Sequence, residues 1–209
     1  MYKMSHDFIL SITGAHVRNA QEQLGNMYEV EKHLKDDINY NNQEESIFYS
    51  NVCHGILFLY SLTAALDSIV AFVAKKKGCK KSSYGERIKF LQAKRIISVD
   101  KKTLSKCREL RQTRNLVTHW EKNLSRSLGS MNYLPYMFGN VEPKSKYELL
   151  ISRLNKLKLE QYWDAYSALL DNIINNEEPQ DNQLVALFLK TVQQGNIVFE
   201  DCGFIKSYN

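Results

Sequence analysis

Apolar residues recur at helical spacing along most of this chain. From about residue 5 to 39, Phe8, Ile12, Ala20, Leu24, Met27, Tyr28, Leu34 and Ile38 fall close to a 3.6-residue period. That pattern predicts an amphipathic helix, with Gly14 as the candidate break. Asn41-Asn42 marks the following turn. The most apolar segment, 45–77, carries Phe48, Val52, Ile56, Leu59, Leu62, Leu66, Ile69, Val70 and Val73. Apolar positions cover most of its girth, so it belongs at the centre of a bundle. It ends in Lys75-Lys76-Lys77-Gly78, cations that suit the negative end of the helix dipole and then a residue fit for a left-handed cap.

The same reading predicts a short helix over 85–95, a helix over 101–126 capped by Asp100, and a helix over 158–175 presenting Leu159, Tyr162, Tyr166, Leu169, Leu170 and Ile173. Residues 127–147 mix Gly129, Pro135, Gly139 and Pro143 with aromatic side chains and read as a loop; Asp181 caps a last helix to about 194. The expectation is all-α: an up-and-down bundle of four main helices plus short ones, one domain over 1–209 with 176–209 as a C-terminal appendage.

Composition narrows the class. The 209 residues suit a single domain, and 9 glycines with 3 prolines are too few for the frequent turns of a β-sandwich. Cys53, Cys79, Cys107 and Cys202 lie far apart, without a CxxC pair or a histidine at zinc-finger spacing. A disulfide framework and a structural zinc site are therefore not expected. Phe8-Ile9-Leu10 is too short for a signal-peptide core. Residues 46–66 carry no formal charge and are long enough to span a bilayer. Ser46, Ser50, Asn51, His54, Ser61, Thr63 and the following Asp67 instead favour the core helix of a soluble cytoplasmic protein, with no membrane partner.

Charge is polarised along the chain. Residues 75–126 hold 17 basic and 4 acidic side chains, a balance of +13, leaving 11 basic and 19 acidic elsewhere, a balance of −8. Such asymmetry points to a polyanionic partner, or to solvated helix faces; charge alone does not decide.

Within the basic quarter stands Arg108-Glu109-Leu110-Arg111-Gln112-Thr113-Arg114-Asn115-Leu116-Val117-Thr118-His119-Trp120. Asn115 and His119 share a helix face, Arg114 flanks them, and Arg111 and Thr118 extend the arginine's row. Leu110, Val117, Trp120 and Leu124 form the opposing apolar stripe. An imidazole beside a permanently charged guanidinium, without a metal-ligand cluster, suits metal-free phosphodiester chemistry. The imidazole can take a proton from a 2′-hydroxyl or give one to a 5′-oxygen, while the guanidinium braces charge on the phosphate.

This segment resembles the signature of the HEPN superfamily: arginine, a polar residue, three further residues, then histidine, here Arg114-Asn115-Leu116-Val117-Thr118-His119. By helix order the resemblance spans about 30–175, although only these six residues are specific. It implies a helical bundle that dimerises to bring two motifs into one cleft. It further implies a metal-independent, cofactor-free endoribonuclease of the kind used as a toxin or in anti-phage defence. His119 would then be the general acid/base, Arg114 the phosphate-stabilising cation and Asn115 the positioning residue. Other members keep the fold without cleaving. In some toxin members a tyrosine two places after the histidine is nucleotidylated by a partner antitoxin; here that place is Glu121, so regulation through that tyrosine is not expected, and an antitoxin partner is what the resemblance alone implies.

Around the motif, Arg111, Lys122, Lys80 and Lys81 are candidate contacts to an RNA backbone, or ordinary exposed cations. Asp67, an acid within an apolar helix, either pairs with Arg111 or Arg114 to fix the site or forms a plain structural salt bridge. His54, among apolar neighbours, reads as a satisfied core histidine. Tyr133, Tyr136 and Phe138 either stack on bases or pack onto the bundle or a dimer mate.

Overall fold

The computed structural model describes residues 6–36, 43–118 and 153–176. Every regular element among them is an α-helix: α1 (His6–Asp36), α2 (Gln43–Lys76), α3 (Tyr84–Ala93), α4 (Lys101–Thr118) and α5 (Lys156–Asn176). The predicted extension of α4 to 126, the loop over 127–147 and the segment 177–209 lie outside the described residues.

The apolar girth of α2 has its expected consequence. Phe58, Leu59, Leu62, Ala65, Leu66, Ile69, Val70, Val73 and Ala74 are buried in the core, and α2 contacts each of the other four helices. Residues 51–76 are also long and apolar enough to cross a membrane by length and composition. Paired contacts give the directions. Asn19 meets Ser61 and Gln23 meets His54, so α1 runs antiparallel to α2. Arg111 meets Asp67 and Thr118 meets Tyr60, so α4 does the same. Gly55 approaches Leu154 and Leu159, while Leu66, Ile69 and Val70 meet Tyr166, Leu169, Leu170 and Ile173; α5 therefore runs parallel to α2.

One expected break is not there: α1 continues through Gly14. A mid-helix glycine costs about 1 kcal/mol, and the burial of Thr13, Val17, Ala20, Gln23 and Met27 against the bundle outweighs it. The interface between α1 and α2 also carries a polar chain. Asn19 donates to Ser61 at 2.6 Å, Gln23 donates to Asn19 at 3.2 Å, and His54 Nδ1 lies 2.7 Å from the Gln23 carbonyl oxygen. The carbonyl only accepts, so Nδ1 carries the proton, and His54 is the satisfied histidine that its neighbours suggested.

Helix ends follow local chemistry. Gly78 takes φ 85° just past α2, with Cys79 N–H bonded to the Ala74 carbonyl at 2.9 Å. Ser83 accepts from Glu86 N–H and donates to its carboxylate, a capping box for α3. Asp100 accepts from Thr103 N–H at 2.6 Å and so caps α4. Between α3 and α4, Asn172 accepts from Ser98 N–H, and Asn176 donates to the Ile96 carbonyl. These side chains on α5 pin the loop that aims α4.

The approach of α5 to α2 depends on Gly55. A β-carbon there would stand 3.1 Å from Leu154 Cδ2 and 3.2 Å from the Leu154 carbonyl oxygen. Gly55→Ala is expected to destabilise the protein by about 1–2 kcal/mol, although alanine is the better helix former. Urea denaturation of the two proteins measures the difference.

Candidate functional site

The central contact is between α2 and α4. Arg111 Nε donates to Asp67 Oδ1 at 2.7 Å, and its Nη2 reaches Oδ2 at 3.4 Å. Arg114 Nη2 lies 3.7 Å from the same Oδ2. One carboxylate thus joins two arginines, the first by a short two-pronged contact and the second loosely. All three side chains are partly exposed, at 33% for Asp67, 28% for Arg111 and 27% for Arg114, so this is a rim arrangement rather than a buried pair.

Arg111 is held from a second side as well. Its guanidinium carbon sits 4.1 Å from the centre of the Tyr84 ring, close enough for a cation–π contact. Bonded to Asp67 and stacked on Tyr84, Arg111 is held from two sides, whereas Arg114 makes only the longer contact to Asp67. The Thr118 hydroxyl lies 3.0 Å from the Arg114 carbonyl and 3.1 Å from the Tyr60 hydroxyl, tying the end of α4 to α2. Leu110 is fully buried below this row, which is why the helix presents its arginines at this angle.

The remaining candidates are distributed unevenly. Asn115 is exposed on α4, and Lys80 and Lys81 are exposed in the segment before α3. Lys81 Nζ is 3.7 Å from Glu86 and its carbonyl accepts from Arg87. His119 and Lys122 lie outside the described residues, as do Tyr133, Tyr136 and Phe138. Among the described residues, no three His, Cys, Asp or Glu side chains converge as a metal site.

The opposite flank of α4 holds a group that periodicity does not reveal. Glu109 faces Lys158 at 2.9 Å, Lys106 at 3.1 Å and Arg153 at 3.5 Å. Arg153 also donates to the Thr113 hydroxyl, which lies 3.2 Å from that of Tyr162. Burial pushes the Glu109 carboxyl up, but bonds from Lys158 and Lys106 outweigh it and hold the group below its ordinary range. Burial pushes the Tyr162 hydroxyl up to about 12 and the Cys107 thiol also up to about 12, so neither is ionised at neutral pH.

No known protein family, curated protein or solved structure matches this chain.

Proposed function

We propose that this protein is a HEPN-type, metal-independent endoribonuclease of the cytoplasm that acts as a homodimer in toxin or anti-phage defence. The observation that carries the reading is the unequal sharing of Asp67. It anchors Arg111 firmly and leaves Arg114, the arginine of the Arg114–His119 motif, loosely held at 3.7 Å on a partly exposed surface. A guanidinium held in that way is positioned without being neutralised, and a phosphate can displace the longer contact.

In the proposed reaction, His119 removes the proton from the ribose 2′-hydroxyl. The 2′-oxygen forms a bond to phosphorus, and the bond from phosphorus to the 5′-oxygen breaks. The leaving oxygen takes up a proton, giving 2′,3′-cyclic phosphate and 5′-hydroxyl ends. Arg114 stabilises the negative charge on the phosphate oxygens and Asn115 orients the reacting groups. The +13 quarter supplies the attraction for RNA, with Lys80, Lys81 and Lys122 along its path. An antitoxin is the proposed protein partner.

Incubation of purified protein with single-stranded RNA in EDTA, followed by end-group analysis, tests the reading. Cyclic phosphate ends are expected, and intact RNA under all such conditions would refute it. The second reading, a non-catalytic RNA- or protein-binding dimer, draws on the same contact, because Asp67 already gives Arg114 a partner within the chain. It predicts salt-sensitive RNA binding without turnover.

Asp67→Asn offers a finer check. The amide keeps one accepting oxygen but loses the negative charge and the second acceptor, so the hold on both arginines weakens. Cleavage is expected to fall by about 10–100-fold, with Tm lowered by only a few degrees, since a partly exposed pair contributes about 1 kcal/mol or less.

A further inference from the structure

Tyr60 stands outside the motif, and the proposed reaction gives it no part. On α2 it lies seven positions, two helical turns, from Asp67 and so shares that residue's face. Its hydroxyl is 3.1 Å from that of Thr118, the last residue of α4, and the Thr118 hydroxyl is 3.0 Å from the Arg114 carbonyl. These bonds hold the phenol at the end of the arginine row. Even so, Tyr60 is 41% exposed, and Leu57, one turn away on the same face, is 49% exposed. A helix covers its own backbone and the hydroxyl is engaged, so the surface that Tyr60 offers is mainly its ring.

Exposure alone is ordinary for a single apolar group. The setting is not. Beside the ring, the Asp67 carboxylate is shared by two guanidiniums, which leaves a surplus of one positive charge on a partly exposed surface. Arg114 is the partner with the longer contact, at 3.7 Å. Arg114 and Thr118 are four residues apart on α4, about 6 Å of helix rise. Cation and ring are therefore offset on the scale of a single nucleotide.

We propose that Tyr60 is a base-stacking residue. Its ring packs against an unpaired nucleobase next to the phosphate held by Arg114, and so helps to set which phosphodiester lies at the motif. This deepens the reading above and rests on it for the phosphate at Arg114. A nucleotide brings both halves of the match, an anionic phosphate for the guanidinium and a flat π face for the ring. Helix α4 belongs to the positive quarter over 75–126, which favours a phosphate-rich partner over an apolar protein surface that would leave the surplus charge unpaired. Every base has a π face, so the contact fixes position and demands an unpaired base without selecting sequence.

The test uses the full-length protein and two short strands of equal length, both with 2′-O-methyl riboses that cannot be cleaved. One strand carries bases and the other is abasic. Backbone attraction is the same for both, so the ratio of their affinities reads the bases alone. Wild type is expected to prefer the base-bearing strand by about tenfold or more, and Tyr60→Ala and Tyr60→Leu to reduce that preference about tenfold. Leucine keeps apolar bulk but has no π face. Tyr60→Phe and Tyr60→Trp are expected to keep the preference, and all four variants to bind the abasic strand as wild type does. Equal binding of the two strands by wild type, or a preference that survives in Tyr60→Leu, overturns the assignment. Loss of a dimer in Tyr60→Ala with the preference unchanged makes the ring a contact between copies, and overturns it as well. A Tyr60-dependent preference in a wild type that cuts no RNA sustains the stacking role and refutes only the endoribonuclease. No binding of either strand refutes both.

Discussion

Alanine at His119 is expected to lower RNA cleavage on the order of 1,000-fold, the scale of losing a general acid/base at the reacting oxygen. Alanine at Arg114 is expected to cost about 100- to 1,000-fold, as for the loss of a charge-stabilising donor in the transition state. The two substitutions should also differ in kind. Loss of Arg114 removes a cation from the phosphate and from Asp67, so it should weaken RNA binding as well as turnover. Loss of His119 should leave binding nearly unchanged and flatten the pH–rate profile where the imidazole titrates. Single-turnover cleavage in EDTA, combined with binding to a 2′-deoxy substrate analogue, separates the two. Undiminished cleavage in either variant would sink the mechanism. RNA binding by wild type without cleavage would favour the non-catalytic reading.

The largest expected change in stability comes from the other flank of α4. Glu109→Gln leaves Lys106, Lys158 and Arg153, with side chains 24%, 23% and 17% exposed, facing one another without their shared carboxylate. Breaking a well-buried ion group costs about 3–5 kcal/mol, and partial solvation reduces this to about 2 kcal/mol. For a chain of this length that is about 4–8 °C in Tm. The pH dependence follows from the direction of the shift. Glu109 is held below its ordinary value of 4.5 in the folded protein. Its contribution is therefore fully present above the unfolded value and is lost as pH falls through the lower folded one. Wild-type Tm should drop more steeply than that of Glu109→Gln on going from pH 5 to pH 3. Parallel curves, or a Glu109→Gln protein as stable as wild type at pH 7, would show that the three cations do not need this carboxylate.

Sequence periodicity located the five described helices to within a few residues, the end of α4 aside, which lies outside the described residues, because each buries one face or, in α2, nearly all faces, and burial imposes a 3.6-residue repeat. Capping was legible for the same local reason: Asp100, Ser83 with Glu86, and Gly78 act on backbone groups a few residues away. Gly14 was misleading because helix propensity is weak beside the packing of a 31-residue helix against α2. At the site, the motif and the isolated acid Asp67 could both be picked out by residue type. Which arginine Asp67 would hold more tightly could not, since Arg111 and Arg114 are adjacent on one helix row. The outcome depends on the rotation of α4 against α2, which Leu110 and the loop held by Asn172 and Asn176 set.

By itself, the sequence determined the helical class, the central place of α2, the positive quarter over 75–126 and the Arg114–His119 motif. Each of these depends on residues close together in the chain or on simple counting. Only the tertiary structure decided that Tyr84 lies under Arg111, that Glu109 gathers Lys158 from α5 and Arg153 from the residues just before it, and that Tyr84, Lys89 and Arg108 meet at one cleft. Those contacts join residues up to 49 positions apart, as with Glu109 and Lys158. Apart from Lys106 and Glu109, three residues apart on α4, no local pattern encodes them, because they arise when separate helices are packed at a fixed angle and register.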